Sequence, residues 1–314
     1  MDKELFVSKI LLFGEYSIIK DSMALCVPYS LFEGFLTFRK GNGPKVEPEL
    51  KAFSQYLKKL HREKAYPISD FQFDLQSFDF DISQGLFFDS TIPQGFGLGS
   101  SGALCASLFS RYALNSSNKD EFLKDPKMIY RLRNYFSLME SFFHGSSSGL
   151  DPLISYLNQP ILIRAKNDFE RVDLSLNQFG EGEGGIFLLN TGRSRKTEPL
   201  VNLFLEKCLT SEFNKVCEEE LLPVTNECIR HFRKNDPLNL LSSFKSLSLF
   251  QKEYFGPMIP PLFKELWEKG LSSNDFYLKL CGAGGGGFLL GITDDFAKVD
   301  NVLSNHEIRI VCRF

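Results

Sequence analysis

The 314-residue chain holds one tryptophan, four histidines and no C-x-x-C pair among its seven cysteines. That spacing excludes a sequence-local zinc or dithiol redox site. An odd count scattered from Cys26 to Cys312 reads as buried free thiols in a reducing compartment. No stretch approaches the ~18 uncharged apolar residues of a membrane helix, and residues 1–9 have no apolar core of signal-peptide length. A cytoplasmic protein is expected. Excess charge of one sign is also missing: 36 Lys and Arg nearly offset 39 Asp and Glu, for a net charge of −3. No electropositive field exists to hold nucleic acid or an anionic membrane, so a small molecule is the expected partner.

What is present is a large apolar content, 43%, enough for an enzyme-sized interior. The 32 phenylalanines are distributed throughout and read as core rings without a function of their own. Branched and aromatic runs predict strands at Val7–Phe13, Leu31–Arg39, Phe71–Leu75 and Phe78–Ile82. Helical spacing predicts helices at Glu47–Arg62, Ser100–Ala113 and Asp120–Phe143. The second half reads as strands at Ile161–Ile163 and Gly185–Asn190. Four helices follow between Glu198 and Lys269, then strands at Phe276–Cys281, Phe288–Ile292 and Glu307–Cys312. Asn167–Glu183 reads as a loop. Strands broken by helices without strict alternation predict an α+β architecture.

Three glycine-marked segments and a pair of acids carry the chemistry. Pro93-Gln-Gly-Phe-Gly-Leu-Gly-Ser-Ser-Gly102 runs directly into an apolar helix. Its glycines let backbone approach a ligand, and a helix N-terminus offers unpaired N–H groups to a phosphate. The segment matches G-x-G-x-x-G literally. A dinucleotide fold, however, needs an acid at the end of a second strand, and Asp120 and Glu121 lie in a polar loop entering a helix. A Walker A loop is excluded because no G-K-[ST] follows.

Glu140-Ser-Phe-Phe-His-Gly-Ser-Ser-Ser-Gly-Leu-Asp151 ends a helix at Gly145 and delivers an acid across a small-residue loop. Phosphoryl transfer needs one carboxylate for magnesium and another to orient or deprotonate the acceptor, a division that Glu140 and Asp151 fit. His144 reads as a helix-end residue, not as a catalyst. The third segment, Lys279-Leu-Cys-Gly-Ala-Gly-Gly-Gly-Gly287, lies between strand-like runs. It has too many glycines for a tight turn, which suggests backbone pressed on a ligand or another loop. Near the N-terminus, Lys9-Ile-Leu-Leu-Phe-Gly-Glu-Tyr-Ser17 places a lysine and an acid around a strand.

Together these segments resemble the signature stretches of the GHMP kinases, in the family's order and spacing. The Glu140–Asp151 pattern, E-x-x-x-H-G-x-x-S-G-x-D, and the stretch around Thr197 resemble the mevalonate kinase branch. The resemblance implies a two-domain α+β GHMP kinase fold. Its N-terminal domain would be ribosomal protein S5 domain 2-like and its C-terminal domain ferredoxin-like α+β, with a boundary expected at 184/185. It implies an ATP- and Mg2+-dependent kinase phosphorylating a small-molecule alcohol, mevalonate first, in isoprenoid biosynthesis.

Carried onto matching positions, Asp151 becomes the catalytic base or orienter and Lys9 its cationic partner. Ser101 and Glu140 become magnesium ligands. Pro93, Gly95, Gly97, Leu98, Gly99, Ser100, Ser101 and Gly102 become the nucleotide loop. Glu15, Tyr16, Ser148, Thr197, Gly282, Ala283 and Gly284 become the substrate contacts. A homodimer is left open. Two positions depart from mevalonate kinases: Tyr16 stands where histidine is usual, and the loop ends Ser-Ser-Gly, not Ser-Ser-Ala. Kinases of the same family acting on phosphomevalonate, a sugar or an amino alcohol are the rival reading, as is a non-catalytic ligand sensor on the same scaffold.

Overall fold

A computed structural model of the chain describes residues 3–41, 46–63, 71–114, 119–165, 168–174, 182–194 and 198–314. Contacts gather into two units that interleave along the chain. The first comprises Met1–Lys9, Pro28–Gln94 and Leu98–Gln159, and the second Ile10–Val27, Gly95–Gly97 and Pro160–Phe314. Both mix helix and sheet, and strands β1 (Phe6–Phe13) and β2 (Ala24–Phe38) run through both.

In the first unit, helices α1 (Pro48–Arg62) and α2 (Leu75–Ser83) precede strand β3 (Leu86–Ser90), which pairs antiparallel with Gly34–Phe38 of β2. Helices α3 (Ser100–Tyr112), α4 (Lys119–Lys124), α5 (Pro126–His144) and α6 (Leu150–Leu157) complete it. Phe78–Ile82 was expected to be a strand from its aromatic and branched residues; it lies instead in α2. Asp74 accepts from the Ser77 N–H at 2.9 Å, a helix cap, and Phe78 and Ile82 lie one turn apart on the buried face. Phe71–Leu75 contributes only an isolated bridge, Phe73 to Ala113. The single helix expected over 120–143 is broken at Pro126, which holds Asp125 in extended backbone (φ −125°, ψ 110°).

The core of this unit is aromatic. Phe109 of α3 is fully buried and meets Phe71, Phe136 of α5 and Tyr156 of α6 with ring centroids 5.2, 5.0 and 5.1 Å away. Edge-to-face pairs of this kind add to the burial of large apolar area. The same rings therefore tie α3, α5 and α6 into one block, and those are the helices that carry the candidate site.

In the second unit, Ala24–Cys26 of β2 pair with β4 (Ile161–Ala165), which pairs with β5 (Asp168–Arg171), a strand inside the segment expected to be a loop. The chain continues through β6 (Gly185–Asn190), α7 (Glu198–Lys207) and α8 (Ser211–Val216). A π turn at Cys217–Leu221, α9 (Leu222–Arg233), α10 (Pro237–Tyr254) and α11 (Lys264–Ser273) follow. Strands β7 (Phe276–Leu280) and β8 (Phe288–Thr293), helix α12 (Phe296–Leu303) and β9 (Ile308–Arg313) close it. A four-stranded antiparallel sheet of order β7-β8-β6-β9 results. Every residue of β7 and β8 is buried, the polar Lys279 and Thr293 included.

The aromatic block gives the first prediction. Phe109→Ala should lower unfolding free energy by about 3–5 kcal/mol in urea titrations; a loss under ~1 kcal/mol would contradict its placement.

Candidate active site

Within the first unit, two helix N-termini are packed against each other. Gly99 caps α3 with φ 78°, Gly149 caps α6 with φ 73°, and each conformation suits glycine and few other residues. A Cβ added at Gly102 would lie 2.7 Å from the Asp151 backbone carbon and the Pro152 nitrogen. The departure from Ser-Ser-Ala therefore has a steric reason: backbone of α6 occupies the space an alanine methyl would need. At Gly99 an added Cβ would meet Lys9 Cγ at 3.1 Å and Asp151 Cβ at 3.3 Å.

This packing brings Asp151, in the first turn of α6, to Lys9 of β1. Lys9 Nζ lies 3.0 Å from Asp151 Oδ1, and the lysine side chain is only 9% exposed. Lys9 is held in register by its own N–H, which donates to Leu98 O at 3.0 Å. Asp151 and Lys9, which the family resemblance implied as partners, thus lie side by side next to the start of α3.

The second acid is on α5. Glu140 is 3% exposed, and Ser101 Oγ donates to its Oε1 at 3.1 Å while Ser147 Oγ donates to Oε2. His144 Nε2 lies 2.9 Å from the same Ser101 Oγ. Burial pushes the Glu140 carboxyl up to about 8, and the Asp151 charge adds to the rise; Ser147, Ser101 and Lys9 pull the other way. A buried acid held at that pKa is short of positive charge.

Ser101 and Glu140 offer hard oxygen donors of the kind magnesium takes, so the donor set fits that ion. Among the described residues, no cluster of three or more His, Cys, Asp or Glu side chains could hold a metal. The remaining ligands of such an ion would be phosphate and water oxygens. His144 and Ser147 are the site residues that sequence reasoning missed as participants. The readable signal was the spacing of Glu140 and His144, four apart and hence on one helical face. Ser148 Oγ accepts from the Leu150 N–H at 3.3 Å, and its side chain is exposed. Of the glycine loop, Pro93 and Leu98–Gly102 belong to this unit, whereas Gly95 and Gly97 belong to the second.

The other expected site residues gather in the second unit. Lys279 donates to Glu15 in an ion pair whose side chains are 0% and 1% exposed. Burial raises the Glu15 carboxyl, with Lys279 and the Gly282 N–H opposing the rise. Tyr16 Oη donates to Ala283 O at 2.5 Å. Glu15 and Tyr16, expected to contact substrate, are thus both buried and bonded to the third glycine segment. Gly282 and Gly284 adopt φ 77°, and a Cβ at Gly284 would lie 2.5 Å from Met258 O. Thr197 lies outside the described residues.

The GHMP kinases N-terminal domain matches residues 53–159, and the GHMP kinases C-terminal domain matches residues 226–309. No curated protein matches the sequence. Among solved structures, L. major mevalonate kinase in complex with R-mevalonate superposes with a TM-score of 0.61 at 15% identity, covering 97% of this chain and 90% of that one. Streptococcus pneumoniae phosphomevalonate kinase, in complex with phosphomevalonate and AMPPNP, gives 0.64 at 14% identity, covering 99% and 100%. Lactococcus lactis galactokinase, complexed with galactose, gives 0.60 at 16%, covering 98% and 93%. At these identities the likeness establishes a shared fold.

Two predictions follow from the geometry. Gly102→Ala should destabilise by about 1–3 kcal/mol, read as a lower urea midpoint with an unchanged slope, because the methyl displaces α6. A neutral effect would contradict the close packing. The second concerns pH. Glu140 titrates at about 8 in the fold against an ordinary 4.5, so the native chain keeps a proton that the unfolded chain has released. Its contribution to stability is complete below about 4.5 and is lost as pH rises through about 8. Glu140→Gln should therefore flatten the decline in melting temperature of the metal-free protein over that window. An unchanged slope would remove Glu140 as its source.

Proposed function

The chain belongs to the GHMP kinase family, and we propose that within it the protein transfers the γ-phosphate of ATP to the hydroxyl of mevalonate, a step of isoprenoid biosynthesis. One observation carries the reading: Asp151, paired with Lys9, lies against the start of α3, the helix whose Ser101 is bonded to Glu140. The Glu140–Asp151 pattern of mevalonate kinases supports this acceptor, and the solved mevalonate kinases share the fold.

In this reading Pro93, Gly95, Gly97, Leu98, Gly99, Ser100, Ser101 and Gly102 cradle the triphosphate with backbone N–H groups and the positive end of α3. Ser101 and Glu140 would hold Mg2+, which would neutralise phosphate charge. Asp151 accepts the proton of the acceptor hydroxyl as its oxygen bonds to the γ-phosphorus. The bond from that phosphorus to the β–γ bridging oxygen breaks, and ADP leaves. Lys9 balances the Asp151 charge and polarises the same hydroxyl. Ser148, Gly282, Ala283, Gly284 and Thr197 are assigned to the acceptor and its phosphate. The boundary between the family's two domains is assigned to 184/185. Seven free cysteines suit a cytoplasmic setting.

Tyr16 supports a second reading, a different acceptor within the family. The residue replacing histidine has its phenol bonded to Ala283 O, so it offers the acceptor no donor. A panel of mevalonate, phosphomevalonate, galactose and homoserine, with ATP and Mg2+ and coupled ADP detection, separates the two. Mevalonate should turn over, EDTA should abolish the reaction, and Asp151→Asn should slow it more than ~100-fold. Turnover of another acceptor alone would overturn the substrate, and an active Asp151→Asn the base.

A further inference from the structure

The third glycine segment in the second unit is held at both ends. At its entry, Lys279 pairs with Glu15 and donates to Leu280 O at 2.8 Å, and the Leu280 N–H donates to Gln251 Oε1 at 2.7 Å. The Gly282 N–H also reaches the Glu15 carboxylate. Midway, the Gly285 N–H donates to Met258 O at 2.6 Å. At its exit, Thr191 Oγ donates to Gly287 O, and the Gly287 N–H donates to Arg193 O, both at 2.6 Å. That exit presses on the first glycine loop: a Cβ at Gly287 would lie 2.6 Å from Phe96 O, and Phe96 meets the Phe288 ring at 5.6 Å.

Tyr16 is the unusual member. It adopts φ 63°, a region bulky side chains rarely enter, and so is strained unless its surroundings fix it. They do: its ring packs on Phe204 and Phe255 at 4.8 and 5.0 Å, and its hydroxyl is bonded to Ala283 O. Two adjacent residues, one in strained backbone and one in a fully buried ion pair, both terminate on the same few residues of the glycine run. The Glu15 carboxylate and the Tyr16 hydroxyl are both engaged inside the fold.

We infer that Glu15 and Tyr16 are positioning residues: they fix the entry of the 281–287 run so that its exit holds Phe96 in the first glycine loop. They do not bind the acceptor. The inference rests on the phosphotransfer reading only for the ligand of that loop, and its primary readout needs no ligand.

The test is hydrogen exchange by mass spectrometry on the full-length chain. Tyr16→Phe keeps the ring and removes one hydrogen bond, so peptides covering 279–287 should exchange about two- to tenfold faster, with the β6 peptide unchanged. Affinity for Mg2+·AMPPNP should fall by a similar factor, and the KM of whichever acceptor the panel identifies should stay constant. Glu15→Gln, which leaves Lys279 buried without its charge partner, should act more strongly. Should that variant fail to fold, Glu15→Gln with Lys279→Met removes the stranded charge and should restore folding while exchange over 279–287 stays fast. Wild-type exchange there in Tyr16→Phe, a rise in acceptor KM alone, or fast exchange with unchanged AMPPNP affinity would each overturn the inference. A chain that phosphorylates nothing would leave the exchange result standing, which separates the two failures.

Discussion

Contact between the N-termini of α3 and α6 is the constraint on which the first unit's site depends. Gly102 allows the Asp151–Pro152 backbone to come within a methyl radius of α3, and Gly99 leaves room for the Lys9 stem. The acid at the start of α6, the lysine of β1 and the serine at the start of α3 are thereby set by backbone packing, not by flexible side chains. Catalysis by positioning and charge neutralisation needs geometry of that rigidity. The aromatic block behind it, Phe109 against α5 and α6, keeps the Glu140 helix in the same frame.

Burial raises both buried acids, and their surroundings answer it differently. Glu15 has a full cationic partner inside the fold, Lys279, so its charge is matched internally. Glu140 has two serine hydroxyls and only the more distant influence of Lys9, and its carboxyl is pushed up accordingly. Breaking a matched buried pair strands a charge, whereas an undermatched acid gains when a cation arrives. The same chemistry thus makes one glutamate structural and leaves the other receptive.

Much of this was legible in the residue order. Lys9, the Leu98–Gly102 end of the glycine loop and the Glu140–Asp151 pattern all named groups that lie in the first unit, and the α+β class followed from strands broken by helices. The α2 helix was misread because Phe78, Phe80 and Ile82 give the segment the aromatic and branched content of a strand. The deciding signal was the Asp74 cap upstream. The inward bonding of Glu15 and Tyr16 was invisible for another reason: their partners lie 264 and 267 residues away. Their burial depends on tertiary packing that no local pattern encodes.

The central claim is that Ser101 and Glu140 share one metal ion with a triphosphate at the start of α3, with Asp151 alongside. A crystal structure grown with Mn2+ and AMPPNP, read by the anomalous signal of the metal, tests it most directly. The account predicts a peak in coordination range of Ser101 Oγ and a Glu140 oxygen, with the γ-phosphate toward Asp151. Nucleotide and metal bound elsewhere, with Glu140 still closed on Ser101 and Ser147, would contradict it.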